Sequence, residues 1–387
     1  MKSRRHNVLS LLEDKTDLYA NRVAVGTKTA MGWEEFTYAG LGMMSRKIAY
    51  YLMNDLQVQK DERIAILAES KPEYGACVFA SVLSGMITVP LDIKLTEYEL
   101  ESILTDCTPS IIIASKTYLD KAKKLQEKIE SIKTILVMDE PAYNIDVQSI
   151  YTLPDKYSCK WRHRSPKSTA LIIYTSGTTG APKGVEISFQ NMLAQLGSFD
   201  GIIDKIVPAP HVTVLSILPM NHLFEMTIGF TTFLSYGFSV YYAKSLKPKD
   251  ILGIMREKRV EFMLVVPAFL KLLKSGIEND LSVAPLHFQL MFKALYHAAK
   301  FIPFYSIKKL MFKPIHDKFG GHFAGCIAGG APLDIEVARF FERIGIRVYQ
   351  GYGLTETSPV VSVNYDKRHD ISSVGRPLPS YEAKTDP

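Results

Sequence analysis

Short apolar runs alternate with longer amphipathic stretches along almost the whole chain. "RIAILAES" (63–70) reads as a buried strand, and "SIIIAS", "TILVMD", "TALIIY" (169–174), "TVLSILP", "FMLVVPA", "GCIAGG" and "RVYQGYG" read as further strands. Between them the period changes to that of a helix. One helical pattern runs from Pro72 to about Gly85. Another begins in "LTEYELESILTDC", where Thr96 and Glu99 predict a capping box and Leu95 and Leu100 the hydrophobic staple around it. Val337, Phe340, Phe341 and Ile344 recur at helical spacing, and Gly345 stands where that helix would end. Strands alternating with helices predict an α/β fold with parallel or mixed sheets flanked by helices. Ligands of such sheets sit beyond the C-terminal ends of the strands. Every glycine-rich segment noted here follows a strand.

One uncharged stretch, Met226 to Ala243, imitates a membrane span. Gly237 divides it, and its threonines and serines suit a folded core better than lipid. The expectation is a buried helix, a turn and a strand.

Composition narrows the classes. The chain has 387 residues, 47% of them hydrophobic, which suits a substantial core and excludes a mostly disordered protein. A net charge of +6 is too small at this length to argue for nucleic acid, and none is expected as a partner. Cysteines at 77, 107, 159 and 326 have neither metal-site nor redox-motif spacing, which predicts buried free thiols in a reducing compartment. In "MKSRRHNVLSLLEDK" the apolar run stops at Glu13, too short for a signal peptide, so a cytoplasmic location is expected.

The richest chemistry lies in "YTSGTTGAPKGV" (174–185), directly after a predicted strand. Its glycines let backbone N–H groups turn inward, its hydroxyls donate, and Lys183 adds a charge-assisted donor. That donor density matches a triphosphate. The spacing departs from a Walker A loop, because Lys183 precedes Gly184 rather than following a glycine. A flexible surface turn is the bland alternative.

This loop resembles the phosphate-loop signature of adenylate-forming (AMP-binding) enzymes, the superfamily of acyl-CoA synthetases, luciferases and peptide-synthetase adenylation domains. "LPMNHLFE" (218–225), "GGAPLD" (329–334), "YQGYGLTETSPVVSVN" (349–364) and "SVGRPLPSYEAKT" (373–385) resemble further family motifs, in family order. The resemblance implies stacked mixed and parallel β-sheets flanked by helices, the large N-terminal domain of these enzymes. Residues 1–370 would form that domain as two αβ subdomains, and 371–387 would begin a small β-subdomain.

It also implies two chemical steps. A carboxylate attacks the α-phosphate of ATP, and the acyl-adenylate is then taken by a thiol, usually that of CoA. The carboxylate is already ionised near neutral pH, so the protein must hold reactants in line and neutralise charge rather than supply a base. By matched position, Thr175, Ser176, Gly177, Thr178, Thr179, Gly180 and Lys183 would handle the β- and γ-phosphates, and Thr355 the α-phosphate. Glu356 would hold Mg²⁺, assisted by Thr175. Tyr352 would cover the adenine ring, with Gly351 and Gly353 permitting close approach. Gly329, Gly330, Ala331 and Pro332 would line the adenine and acyl pocket. His222 would lie beside the reacting carboxylate. For His222 the alternative is simple packing, for Glu356 a solvated carboxylate, and for Tyr352 a core aromatic.

"LPMNHLFEMTIGF" and the segment from Gly329 to Asn364 look most like the long-chain fatty acid:CoA ligase branch, with a fatty acid as substrate. A fatty acyl-AMP or acyl-carrier-protein ligase, and a non-catalytic nucleotide- or acyl-binding protein at a membrane surface, are the alternatives. From 285 to 322 six lysines and one acidic residue are interleaved with aromatics. Such a segment suits an anionic bilayer, on the inner face of a membrane, or a surface hairpin whose lysines are merely solvated. Two motifs depart from the family: Ser188-Phe189-Gln190-Asn191 lacks an expected histidine, and Pro379-Ser380 replaces a proline-glycine. The family continues with a ribose-binding aspartate, a hinge and a lid carrying a lysine, none of which precedes Pro387. The expectation is a fragment without the lid that binds ATP weakly and adenylates poorly.

Overall fold

The computed structural model describes residues 14–141, 146–158, 160–175, 182–207, 210–365 and 370–384. Chain contacts separate two compact units. The first comprises Met1–Leu196 and Pro219–Gly237, the second Gly197–Leu218 and Phe238–Pro387.

The first unit opens with an antiparallel hairpin, β1 (Val23–Thr29) and β2 (Gly32–Thr37). Its sheet is built from β3 (Arg63–Leu67), β4 (Ile87–Pro90), β5 (Ile111–Ala114), β6 (Thr134–Val137), β7 (Thr169–Thr175) and β8 (Lys183–Ser188), in the order β6-β5-β3-β4-β7-β8. All pairings are parallel except β7 with β8. Burial on both faces explains why a strand such as β5 reads as an unbroken apolar run: each of its four residues is buried.

Helices cover the sheet. The helix α1 (Tyr38–Asn54) starts at Thr37, whose hydroxyl accepts from the Gly40 N–H. Pro at the first position pre-shapes α2 (Pro72–Ser84), and Gly85 ends it in the left-handed region at φ 75°. In α3 (Glu97–Cys107) both hydrogen bonds of the expected capping box form between Thr96 and Glu99. Leu95 packs against the core that includes Leu100, as a staple requires. That core joins α3, α4 (Leu119–Lys128) and one face of β3, β4, β5 and β6.

Residues 226–235 form the helical half of the uncharged stretch, wholly buried, and Glu225–Thr232 are wound as a π-helix. The Thr231 and Thr232 hydroxyls donate to the carbonyls of Met226 and Thr227, five residues back. No helix among the described residues is long and apolar enough to cross a membrane.

The second unit contributes β9 (Thr213–Ser216), β10 (Ser239–Tyr242), β11 (Phe262–Val265), β12 (Gly325–Ala328), β13 (Arg347–Tyr352), β14 (Ser362–Val363) and β15 (Arg376–Pro377). Their order is β15-β14-β13-β12-β11-β9-β10. The strands from β10 to β13 are parallel, and β13, β14 and β15 pair antiparallel. The helix Ile335–Arg343 buries Val337, Phe340 and Phe341, and Gly345 follows it at φ 90°. Cys77, Cys107 and Cys326 are buried free thiols, while Cys159 lies outside the described residues.

Candidate active site

In the first unit the candidate groups gather at the C-terminal edge of the parallel strands. β7 runs up to Thr175, the antiparallel β8 returns from Lys183, and these two residues pair directly. Ser176, Gly177, Thr178, Thr179 and Gly180 lie outside the described residues. The end of β7 is fixed from below. Tyr174 donates its hydroxyl to the Asp106 carboxylate near the end of α3. Burial and this acceptor raise the Tyr174 pKa, so the phenol stays protonated. Lys183 is exposed, with no ion pair among the described residues.

His222 reaches the same edge from elsewhere in the chain. The turn that carries it closes with the His222 N–H donating to the Pro219 carbonyl at 3.0 Å. Ser70, just past β3, accepts from the Met220 N–H at 3.0 Å. The imidazole is exposed rather than packed beneath the following helix. Neighbouring protein nevertheless desolvates it and lowers its pKa; Asp92, just past β4, opposes this and Lys94 reinforces it. A neutral imidazole at neutral pH can donate or accept a hydrogen bond without repelling a cation. Asp92 and Ser70 were not singled out in the sequence. The signal was their position, within a few residues of a strand's C-terminal end.

In the second unit the remaining candidates lie on two adjacent strand ends. Parallel pairing sets Ala328 of β12 beside Gln350 of β13, so Gly329–Pro332 and Gly351–Glu356 emerge together. Gly329 donates to the Val265 carbonyl at 3.2 Å, tying the first loop to β11 as well. Gly330 holds φ 80°, which a side chain would strain, although space is open around it. Ala331 and Pro332 are exposed, and Asp334 then caps the next helix through the Glu336 N–H.

The β13 loop turns back on itself. A Cβ on Gly353 would fall 1.7 Å from the Pro359 carbonyl oxygen, so only glycine lets the returning chain lie so close. The Leu354 N–H donates to the Thr357 hydroxyl at 2.9 Å, and the Thr357 N–H to the Leu354 carbonyl at 3.0 Å. Tyr381 donates its hydroxyl to the Thr357 carbonyl and braces the turn from outside. Thr355 and Glu356 stand at its tip, Thr355 half-buried and Glu356 exposed. Tyr352 is 52% exposed, which overrules a core aromatic and leaves its ring face open for stacking. Gly351 has ordinary clearance, with the Ser362 carbonyl 3.6 Å from where a Cβ would stand.

The donor set fits Mg²⁺ in one particular way. No group of three His, Cys, Asp or Glu among the described residues could hold a metal by itself. Glu356 offers one hard carboxylate on an exposed tip, and Mg²⁺ is commonly held by one or two carboxylates together with substrate phosphates.

A family description, AMP-binding enzyme, matches residues 12–385, and the chain belongs to that family. Among curated relatives, a long-chain-fatty-acid–CoA ligase of Escherichia coli O157:H7 is 27% identical over 98% of this chain and 66% of its own length. The mouse long-chain-fatty-acid–CoA ligase ACSBG1 is 25% identical over 98% of this chain and 56% of its own. The chain thus spans 66% and 56% of the length of these two relatives. Among solved structures, the inhibitor-bound N-terminal domain of FACL13 from Mycobacterium tuberculosis superposes with a TM-score of 0.75 at 20% identity, covering 96% of this chain and 82% of that one. ATP-bound MatB from Rhodopseudomonas palustris gives 0.73 at 23%, covering 96% and 64%. The fold is therefore the mixed-sheet α/β fold of the N-terminal domain of adenylate-forming enzymes.

Proposed function

We propose that this chain serves the activation of a long-chain fatty acid with ATP to an acyl-adenylate, which it forms only weakly by itself, and the transfer of the acyl group to CoA. The supporting observation is the end of β13 in the second unit: the exposed aromatic Tyr352 as its last residue, with the half-buried Thr355 and the exposed carboxylate of Glu356 in the loop that follows. The long-chain ligase relatives supply the substrate class.

In this reading the Tyr352 ring stacks on adenine, and Gly329–Pro332 line the base and acyl side. Thr355 donates to the α-phosphate, and Lys183 with the 175–180 segment holds the β- and γ-phosphates. Glu356, with Thr175, holds Mg²⁺, which would neutralise phosphate charge. A neutral His222 donates to the acid without neutralising it, leaving the carboxylate nucleophilic. Residues 1–370 act as the AMP-binding domain and 371–387 as the opening of a further β-subdomain. A cytoplasmic setting, peripheral on the inner face of a membrane, completes the proposal.

The test is ATP–pyrophosphate exchange driven by hexadecanoate. Exchange that needs both the acid and Mg²⁺ is expected, and Glu356→Gln should lower it by about 100-fold. Exchange unaffected by Glu356→Gln would remove the metal assignment. Addition of CoA or of an acyl carrier protein to the charged enzyme then separates the two acceptors.

A further inference from the structure

The segment after the helix Pro267–Ser282 folds as a helix, Leu286–Ala298, a short turn, and a second helix, Tyr305–Met311. Neither helix buries a whole face. On the first, Phe292 and Tyr296 turn toward the rest of their own unit, with ring centroids 5.5 Å from Phe312 and 6.0 Å from Phe340. Leu286, Leu290 and Met291 are left in solvent. Further along, Phe301 is 81% exposed, Phe304 62% and Leu310 74%. Among the described residues, half of the exposed large hydrophobics fall between Val283 and Leu310. A concentration of this kind marks an interaction surface rather than ordinary scatter.

Charge identifies the occupant. From 281 to 316 the sequence contains five lysines and no aspartate or glutamate. Lys318 and Lys313, near the far end, are paired with Asp280 and Asp317. Lys293, Lys300 and Lys309 make no ion pair among the described residues. A symmetric contact with a second copy would set these lysines against one another. Anionic lipid headgroups would accept them while the aromatics entered the acyl boundary.

We infer that the Leu286–Met311 hairpin is a docking surface for an anionic lipid bilayer. It inserts Leu286, Phe301, Phe304 and Leu310, and it sets Lys293, Lys300 and Lys309 against headgroup phosphates. The first helix has 13 residues, about 20 Å of length, too short to cross a hydrocarbon core of about 30 Å. It therefore lies in the plane of the interface. That the surface delivers a membrane-dissolved acid rests on the fatty-acid reading above; the docking itself does not.

The experiment is co-sedimentation of the 387-residue chain with vesicles of phosphatidylcholine alone or mixed with phosphatidylglycerol, without nucleotide. Two variants accompany it, Phe301→Ser/Phe304→Ser/Leu310→Ser and Lys293→Gln/Lys300→Gln/Lys309→Gln, each checked for unchanged melting. The wild type should bind anionic vesicles about tenfold more tightly than neutral ones. The apolar variant should lose about tenfold at low and at high salt, and the lysine variant only the low-salt gain. Wild-type protein that ignores anionic vesicles, or an apolar variant that binds as well as wild type, overturns the inference. So does a wild-type dimer in solution that the apolar variant converts to monomer. Pyrophosphate exchange measured on the same samples separates the two claims, since it can survive while docking fails.

Discussion

At single residues, the charged and aromatic side chains assigned to chemistry, Lys183, His222, Tyr352 and Glu356, are exposed, while the groups assigned to structure are buried. His316 illustrates the second kind. It is almost wholly buried, and its Nε2 lies 2.7 Å from the Ile344 carbonyl, so that nitrogen carries the proton and donates. Nδ1 has no partner. Burial lowers the His316 pKa below 6.5, outweighing the carbonyl that favours the charged ring. A depressed histidine makes the unfolded chain the better proton binder, so stability is whole above about pH 7 and is lost as pH falls through 6.5 toward the folded-state value. Melting temperature should drop between about pH 7 and pH 5, and His316→Gln should flatten that slope. An unchanged slope would show that the ring does not titrate on unfolding. His222 is depressed as well, so the variant should flatten the slope only in part. Residue identities were the most legible part of the site: Tyr352, Glu356 and His222 stand out by motif alone. Their surroundings were not, because Asp92 and Ser70 are brought beside the His222 turn only when β3 and β4 align.

Among elements, the strands and long helices were readable because burial on both faces, caps and periodicity agree. The limits of α2, the box at Thr96 and the end at Gly345 all follow local rules. Removing the box through Thr96→Ala should cost about 1 kcal/mol, measured by denaturant unfolding. The β1–β2 hairpin and the π-helix Glu225–Thr232 were not foreseen. A stretch apolar on every side carries no periodicity from which to choose a helical winding. For the same reason the Leu286–Ala298 face could not be assigned from the sequence, where solvated lysines and a bilayer contact looked alike. The α2 N-terminus holds a buried ionic cluster that periodicity also conceals. Lys71 Nζ lies 2.6 Å from Asp139 and 3.6 Å from Glu73, and Tyr151 donates to Glu73 at 2.6 Å. Burial raises the Glu73 pKa against the pull of Lys71 and Tyr151. Lys71→Met should therefore destabilise by about 3–5 kcal/mol at neutral pH, because Glu73 and Asp139 lose their cation. The loss should shrink at mildly acidic pH, where Glu73 takes up a proton more readily than an ordinary carboxylate. A loss that does not change with pH would exclude Glu73 as the group left uncompensated.

At the scale of the whole molecule, each unit presents its chemistry at the C-terminal edge of its own parallel strands, as α/β sheets do. The α/β class and the position of most strands along the chain could be read from the alternation of patterns, but not their order within the sheets. Two subdomains were expected from the family resemblance, but not where they divide, because Pro219–Gly237 belongs with residues far earlier in the chain. The central claim is that a nucleotide binds through the exposed groups at these strand ends. Calorimetric titration of the 387-residue chain with Mg·ATP tests it most directly, comparing wild type with Tyr352→Ala and Lys183→Met. Both side chains are exposed, so both variants should melt as wild type does. Each should weaken binding by about tenfold, through lost stacking and a lost charge-assisted bond. Affinity equal to wild type in both variants would contradict the claim.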